Sequence, residues 1–319
     1  MDTLSSIPIE RIHANSVKTG DVRPIISVLV PTFKYAPVKL VDALSRQTVT
    51  DSAEFILYDD GSQNPGLEAQ LTRLIDGLQI PAKVILARDN KGRAEARNRL
   101  IVEAHGDWLL FLDSDMEPDT EQFLADYLSS IETTAQSKPA VICGGFSVDK
   151  AKHSPSTQLH RAQSIASECR PAEERQQKPG LSIFTSNVLV HRNVVETVSF
   201  DENFSGWGWE DTDWGIRLAA AFPIFHTDNT ATHHGLDEDA TLIRKYAQGA
   251  ENFHRLTAKH PGIERDLTLA QFIQKVKGIP AKKQIARVFK AFAAARYIPI
   301  SLRLQFLKIF RVFYYAAWK

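Results

Sequence analysis

Apolar runs and amphipathic stretches alternate from Ile25 onward. IISVLVP at 25–31 precedes a helical pattern through Val38, Val41 and Leu44, and EFILYDDGS at 54–62 precedes a second helix over Leu67 to Leu78. AKVILA at 82–87 leads to a helix over Arg93 to Ala104, and DWLLFLDSD at 107–115 closes the series. Four near-continuous apolar strands separated by helices predict a parallel sheet covered on both faces. Ligands of such sheets lie beyond the C-terminal strand ends. Three polar signals fall there: Pro31-Thr32, Asp59-Asp60-Gly61-Ser62 and Asp113-Ser114-Asp115.

The second half is less regular. AVICGGFSV at 140–148 and SIFTSNVLVHR at 182–192 read as strands, and residues 150–179 as a long loop with one helical portion. GWGWEDTDW at 206–214 leads into a helix over Ile216 to Ala221. FPIFHTDNTATHHG follows, then a helix to about Lys259, with His260-Pro261-Gly262 as punctuation.

Charge divides the chain. It is 319 residues long with 38 basic and 38 acidic side chains, yet no acidic residue follows Asp266, while 267–319 hold eleven Lys or Arg and ten aromatics. This predicts three parts: an N-terminal extension at 1–24, a catalytic-sized domain at 25–262 and an amphipathic helical region at 263–319. Two cysteines, Cys143 and Cys169, cannot build a disulfide framework and suit a reducing compartment. Neither a signal peptide nor a run of roughly 20 apolar residues is legible. The expected location is therefore the cytoplasm or a membrane surface facing it, and the acidic bulk argues against nucleic acid.

Alternate residues of an extended chain share a face, so Asp113 and Asp115 can approach one cation or a hydrated diphosphate together. Their oxygens suit Mn²⁺ or Mg²⁺. A solvated turn or helix cap is the plain alternative. Asp59 can accept from a base imide or a ribose hydroxyl, or simply begin an Asp-Gly turn. Arg93 and Arg97, four apart, could reach phosphates, or pair with Glu95 or Asp89. Glu210 and Asp211 sit among Gly206, Trp207, Gly208 and Trp209, whose indoles offer flat faces for a sugar. A carboxylate there could take a proton from an attacking hydroxyl. For Asp213 a place in the first helical turn is the better reading. His233 or His234 could complete a metal site begun by Asp115.

In this order VPTFKY, YDDGS, NKGRAEARN, GDWLLFLDSD, GWGWEDTDW and HH make Ile25 to about Gly262 resemble a glycosyltransferase of family 2. The resemblance implies the GT-A fold, a Rossmann-like mixed α/β sheet flanked by helices. GWGWEDTD is similar to the GWGGED turn of β-1,4-galactosyltransferases and bacterial chondroitin polymerases, with Trp209 where those have Gly. It further implies that Pro31, Thr32, Asp59, Arg97 and Asp113 line a nucleotide-sugar pocket. Asp115 with His233 or His234 would hold Mn²⁺ or Mg²⁺. Asp211 would be the catalytic base and Glu210 would hold a sugar hydroxyl, with Trp207, Trp209 and Asn187 near the sugar and acceptor. The expected reaction is inverting transfer of a hexosyl or N-acetylhexosaminyl group from a UDP-sugar to a glycan or lipid-linked hydroxyl. A retaining enzyme would more typically carry Asp-x-His at 113–115.

As a helix, Leu302 to Trp318 puts Leu302, Phe306, Ile309, Phe310 and Phe313 on one side and Arg303, Lys308 and Arg311 on another. With the weaker amphipathic stretch Gln284 to Tyr297 it resembles an in-plane anchor to anionic lipid. Packing of this stripe on the catalytic domain or on a second copy of the chain is the competing expectation. A nucleotidyltransferase or a Rossmann dehydrogenase would show a glycine-rich phosphate loop after the first strand, which VPTFKYAP lacks. A silent scaffold that binds sugar nucleotides is separated from an enzyme by turnover.

Overall fold

A computed structural model describes residues 10–17, 23–49, 52–135 and 139–318. The strands are β1 (Glu10–Ala14), β2 (Ile26–Thr32), β3 (Ala53–Asp59), β4 (Ala82–Ala87), β5 (Trp108–Leu112), β6 (Met116–Pro118), β7 (Val141–Cys143), β8 (Phe146–Ser147), β9 (Asn187–His191), β10 (Ile224–His226) and β11 (Ala231–His233). The first helices are α1 (Val38–Ser45), α2 (Pro65–Asp76), α3 (Arg93–Glu103), α4 (Phe123–Ser130), α5 (Gln158–Ser167) and α6 (Ala172–Gln176). They are followed by α7 (Arg192–Thr197), α8 (Glu210–Ala219), α9 (Asp239–Gln248), α10 (Ala250–Lys259), α11 (Thr268–Val276), α12 (Lys282–Ala294) and α13 (Ile300–Ala317).

Eight strands form the main sheet in the order β1-β4-β3-β2-β5-β9-β7-β10. The run β4-β3-β2-β5 is parallel, as the apolar spacing predicts. The sheet is nonetheless mixed, because β9 runs antiparallel to β5 and β7, and β1, from the N-terminal segment, lies antiparallel on β4. Alternation along the strands feeds two cores. Val28, Val30, Leu57 and Leu110 pack with Leu40 and Leu44 of α1 and Leu71 and Ile75 of α2. Leu29, Ile56, Ile85 and Phe111 meet Leu100 of α3 and Trp214 and Leu218 of α8. Helices on both faces leave the strand ends as the free surface.

Strand order reverses between β2 and β5, and both chain ends at that point carry the polar motifs. The apolar run 140–148 is two strands, not one. Gly144 and Gly145 interrupt it, since a Cβ on Gly144 would lie 2.3 Å from the Tyr127 hydroxyl oxygen and Gly145 has a φ of +99°. This break sends β8 into a small second sheet, β6-β11-β8, in which His233 of β11 pairs with Met116 of β6. Residues 150–179 hold two helices, α5 and α6, and α8 begins at Glu210, six residues earlier than the periodicity suggests.

The basic region is a helical layer whose sides differ from the sequence expectation. Helices α12 and α13 pack together, and α13 seats on α5, α9, α10 and α11. Arg303, expected on the polar side, is buried, donating to the Ala293 carbonyl at 2.9 Å and to the Asp239 carboxylate. Leu302, expected on the apolar side, is 49% exposed. Arg311 lies over the Tyr246 ring at 4.1 Å. Periodicity misassigned the faces because a guanidinium with a buried carboxylate or an aromatic partner packs inward like an apolar group. Among the described residues no helix is long and apolar enough to cross a membrane.

Candidate active site

The ends of β2, β3 and β5, the start of α3 and the turn before α8 enclose a cleft of about 830 Å³. Pro31, Thr32, Asp113, Asp115, Glu210 and Arg93 line it. Sequence positions more than 170 apart are thereby gathered at one switch point.

Asp60, rather than Asp59, faces the cleft. Its carboxylate accepts from the backbone of Lys91 at 2.9 Å and Gly92 at 2.8 Å and from the Asn90 amide at 2.8 Å, latching the loop that starts α3. A Cβ on Gly61 would lie 2.4 Å from the Asp89 carbonyl carbon, so this approach demands glycine. Asp59 sits behind, one oxygen accepting from the Ser62 hydroxyl and the other buried with no partner among the described residues. Burial raises the pKa of both Asp59 and Asp60, against the hydrogen bonds they accept. Removing the latch with Asp60→Ala is expected to lower donor affinity about tenfold while the sheet still folds, measured by calorimetric titration with nucleotide. Unchanged affinity would show that the 90–92 loop needs no anchor.

The two arginines of α3 part company. Arg97 is buried and donates to Asp113 at 3.0 Å, and two of its guanidinium nitrogens have no partner among the described residues. It therefore acts on the cleft through Asp113. Arg93 lies in the cleft with its side chain about half exposed, 3.8 Å from Glu210, and its charge acts on Asp113, Glu210, Asp211 and Asp115. Neither pairs with Glu95 or Asp89, which are taken by Lys91 and Arg88.

Pairing of β11 with β6 brings His233 to Asp115, Nε2 to Oδ2 at 3.2 Å. His234 points elsewhere: its Nε2 meets Glu117 at 2.6 Å and its Nδ1 accepts from Lys39 at 3.1 Å. Of the two, His233, the last residue of β11, is the one beside Asp115, and His234 just beyond the strand turns to Glu117. Burial raises the Asp115 pKa, but the hydrogen bond and charge of His233 outweigh it, leaving the carboxylate below its ordinary range. His160, 5.8 Å from His233 ring to ring, is pushed down to about 4 by burial and by His233, and accepts from the Asp237 N–H. An oxygen and an imidazole nitrogen side by side fit Mn²⁺ or Mg²⁺. Among the described residues no cluster of three His, Cys, Asp or Glu ligands occurs, so further ligands would have to come from a diphosphate or water. Gly235 makes the pair possible: a Cβ there would lie 1.9 Å from Asp115 Oδ2. The glycine directly after the histidine pair was the legible signal for it.

Glu210 and Asp211 open α8. The turn before them is wound left-handed, with φ of +80° at Gly206, +87° at Gly208 and +74° at Trp209. That last value is strained for a residue with a side chain. Trp209 is held there by its indole, 5.0 Å from the Phe253 ring and 5.8 Å from the Arg311 guanidinium. Trp207 packs on Tyr246 at 5.1 Å. Both indoles thus pack on the helical layer and are not among the residues that line the cleft. Asn187 is buried, accepting from the Tyr127 hydroxyl at 2.6 Å and donating to the Gly145 and Asn229 carbonyls.

Asp211 accepts from the Thr185 hydroxyl at 2.8 Å and its N–H at 3.3 Å. Burial first, then the charge of Glu210, push it up to about 6, against Arg97 and Thr185. Thr185 carried no motif and was found only in three dimensions. Asp213, as expected, is structural: it is buried between Arg217, Lys259 and His260.

This chain belongs to glycosyl transferase family 2, whose sequence model matches residues 27–196. Its fold is the GT-A fold, a mixed α/β sheet flanked by helices. Among curated relatives it is 28% identical over 229 residues to validoxylamine A glucosyltransferase of Streptomyces hygroscopicus subsp. jinggangensis, covering 62% of this chain and 52% of that one. It is 29% identical over 216 residues to glycosyltransferase AglE of Haloferax volcanii, covering 63% and 66%. The matches thus span about half to two thirds of the length of these relatives. Among solved structures, mannosyltransferase PcManGT of Pyrobaculum calidifontis, in complex with GDP-Man and Mn²⁺, shares the fold with a TM-score of 0.56 at 16% identity. That likeness covers 94% of this chain and 88% of the other. S. aureus TarS 1-349 does so with a TM-score of 0.53 at 16% identity, over 91% and 89%.

Proposed function

We propose that the protein is an inverting, divalent-metal-dependent glycosyltransferase that moves a hexosyl or N-acetylhexosaminyl group from a UDP-sugar to a hydroxyl of a glycan or lipid-linked acceptor. The observation that carries this reading is the meeting of acidic groups at one cleft: Asp113, Asp115 and Glu210 line it, His233 lies against Asp115, Asp211 follows Glu210 at the start of α8, and Arg93 acts on all four carboxylates. The first group suits the donor diphosphate and the second the acceptor. Pro31 and Thr32 would receive the nucleoside.

Asp115 and His233 would hold the ion, and a bound divalent cation offsets charge on the leaving diphosphate. Asp211 takes the acceptor hydroxyl proton as the oxygen bonds to the anomeric carbon. The bond from that carbon to the diphosphate breaks, and its electron pair leaves with the diphosphate. A base raised to about 6 is matched to this task near neutral pH. Glu210, kept near Arg93, would orient a sugar hydroxyl. The relatives named for sugar transfer and the neighbour that binds GDP-Man and Mn²⁺ support the class of chemistry.

We further place the protein at the cytoplasmic face of a membrane, in synthesis of a surface polysaccharide or glycolipid. The free cysteines and the basic layer, which exposes Val288, Phe292, Tyr297 and Leu302, support this. Screening UDP-sugars with Mn²⁺ and with chelator should give metal-dependent binding and slow UDP release for one sugar, with binding lost in Asp115→Ala. Equal release in chelator would overturn the metal assignment, and binding of no UDP-sugar would overturn the donor class.

A further inference from the structure

A groove of about 500 Å³ runs between α12 and α13, away from the cleft. One wall is Lys283, Arg287 and Lys290, spaced i, i+4 and i+7 on one side of α12. The other is Phe310, Tyr314 and Trp318 of α13 and its C-terminal flank. We propose that this groove binds the phosphate-bearing head group of an anionic membrane lipid, the aromatic wall receiving the upper part of its acyl chains. The proposal rests on the membrane placement above and supplies its site.

Three like charges on one helical stripe repel one another, and an i, i+4 pair of this kind destabilises a helix. Among the described residues no carboxylate relieves them. The sequence has none after Asp266, and the nearby Asp239 is engaged by Arg303 and Arg296. An anion in the groove removes that repulsion. A free phosphate would have no use for the opposite wall, whereas a lipid would. Trp318 is stacked on His254 at 5.2 Å and still 38% exposed, and Tyr314 offers a ring with a polar tip. Such amphipathic rings settle at the level of lipid head groups.

The test is sedimentation of the full chain with vesicles of phosphatidylcholine alone and with 30% phosphatidylglycerol. Binding is expected only to the anionic vesicles, with a blue shift of Trp318 emission that is absent in Trp318→Phe. The triple variant Lys283→Ala, Arg287→Ala, Lys290→Ala should lose on the order of 100-fold in affinity, at roughly tenfold or less per charge. These are exposed helix positions where alanine preserves the fold. A control triple, Lys275→Ala, Lys277→Ala, Lys308→Ala, removes equal charge outside the groove and should lose far less. Equal loss in both triples would reduce the effect to diffuse attraction and overturn the site. So would absence of vesicle binding, or saturation of the groove by inorganic phosphate or an acidic peptide with no affinity for vesicles. Nucleotide binding measured on the same samples is expected to be unchanged. Its loss in the wild-type chain would defeat the transferase reading without touching this one.

Discussion

Asp211→Asn is expected to cut sugar transfer by at least 100-fold while donor binding stays within a factor of about three. The amide keeps the shape and the bond from Thr185, now to an amide oxygen, but cannot take the acceptor proton. The same change should stabilise the free protein. Asp211 is raised to about 6 in the folded state from its ordinary value of 3.8. Folding therefore favours its neutral form. That contribution is fully present below pH 4 and lost as pH rises through 6, so at pH 7.5 the ionised carboxylate costs about 1–3 kcal/mol, which asparagine avoids. Thermal melts at pH 4 and pH 7.5 should accordingly separate wild type and variant only at the higher pH. The wild-type kcat/KM should fall about tenfold per unit below pH 6, because a protonated base is inert. Glu210→Gln separates the neighbours: full transfer by Asp211→Asn with loss in Glu210→Gln would move the base to Glu210.

Gly235→Ala should abolish metal-dependent donor binding by displacing Asp115 from His233. The added methyl would lie 1.9 Å from Asp115 Oδ2 and 3.0 Å from His233 Nε2, so the pair cannot keep its present geometry. Disturbing the support of a metal ligand typically costs 10–100-fold in affinity, and here the ligand itself must move. Mn²⁺ titration followed by electron paramagnetic resonance in the presence of UDP reads the effect directly. Gly278→Ala is the control, because a Cβ there meets nothing within 4 Å. Mn²⁺ affinity in Gly235→Ala equal to that of wild type would remove Asp115 and His233 from the metal site.

Both predictions concern residues whose chemistry was legible as a motif but whose partners were not. Asp113-Ser114-Asp115 at a strand end announced itself through the apolar run before it, and the family-2 fold with it. That Asp115 meets His233, and that His234 turns to Glu117, follows from the register of β11 on β6, a pairing between segments more than 110 residues apart. YDDGS was visible as a strand end, yet no local rule says which aspartate lines the cleft. The latch to residues 90–92 decides it in favour of Asp60. The packing partners of the GWGWED indoles were not legible, because Tyr246 and Phe253 come from α9 and α10.

By itself the sequence determined the parallel β2–β5 core, the helices that cover it and the acidic groups at its open end. These depend on the period of apolar residues and on backbone hydrogen bonding within short segments. Tertiary structure alone decided the mixed edge of the sheet, the inward faces of α13, which of two adjacent histidines meets Asp115 and which of two adjacent aspartates lines the cleft. A side chain's direction at a strand end, or an arginine's burial beside Asp239, depends on a partner far along the chain that no local period encodes.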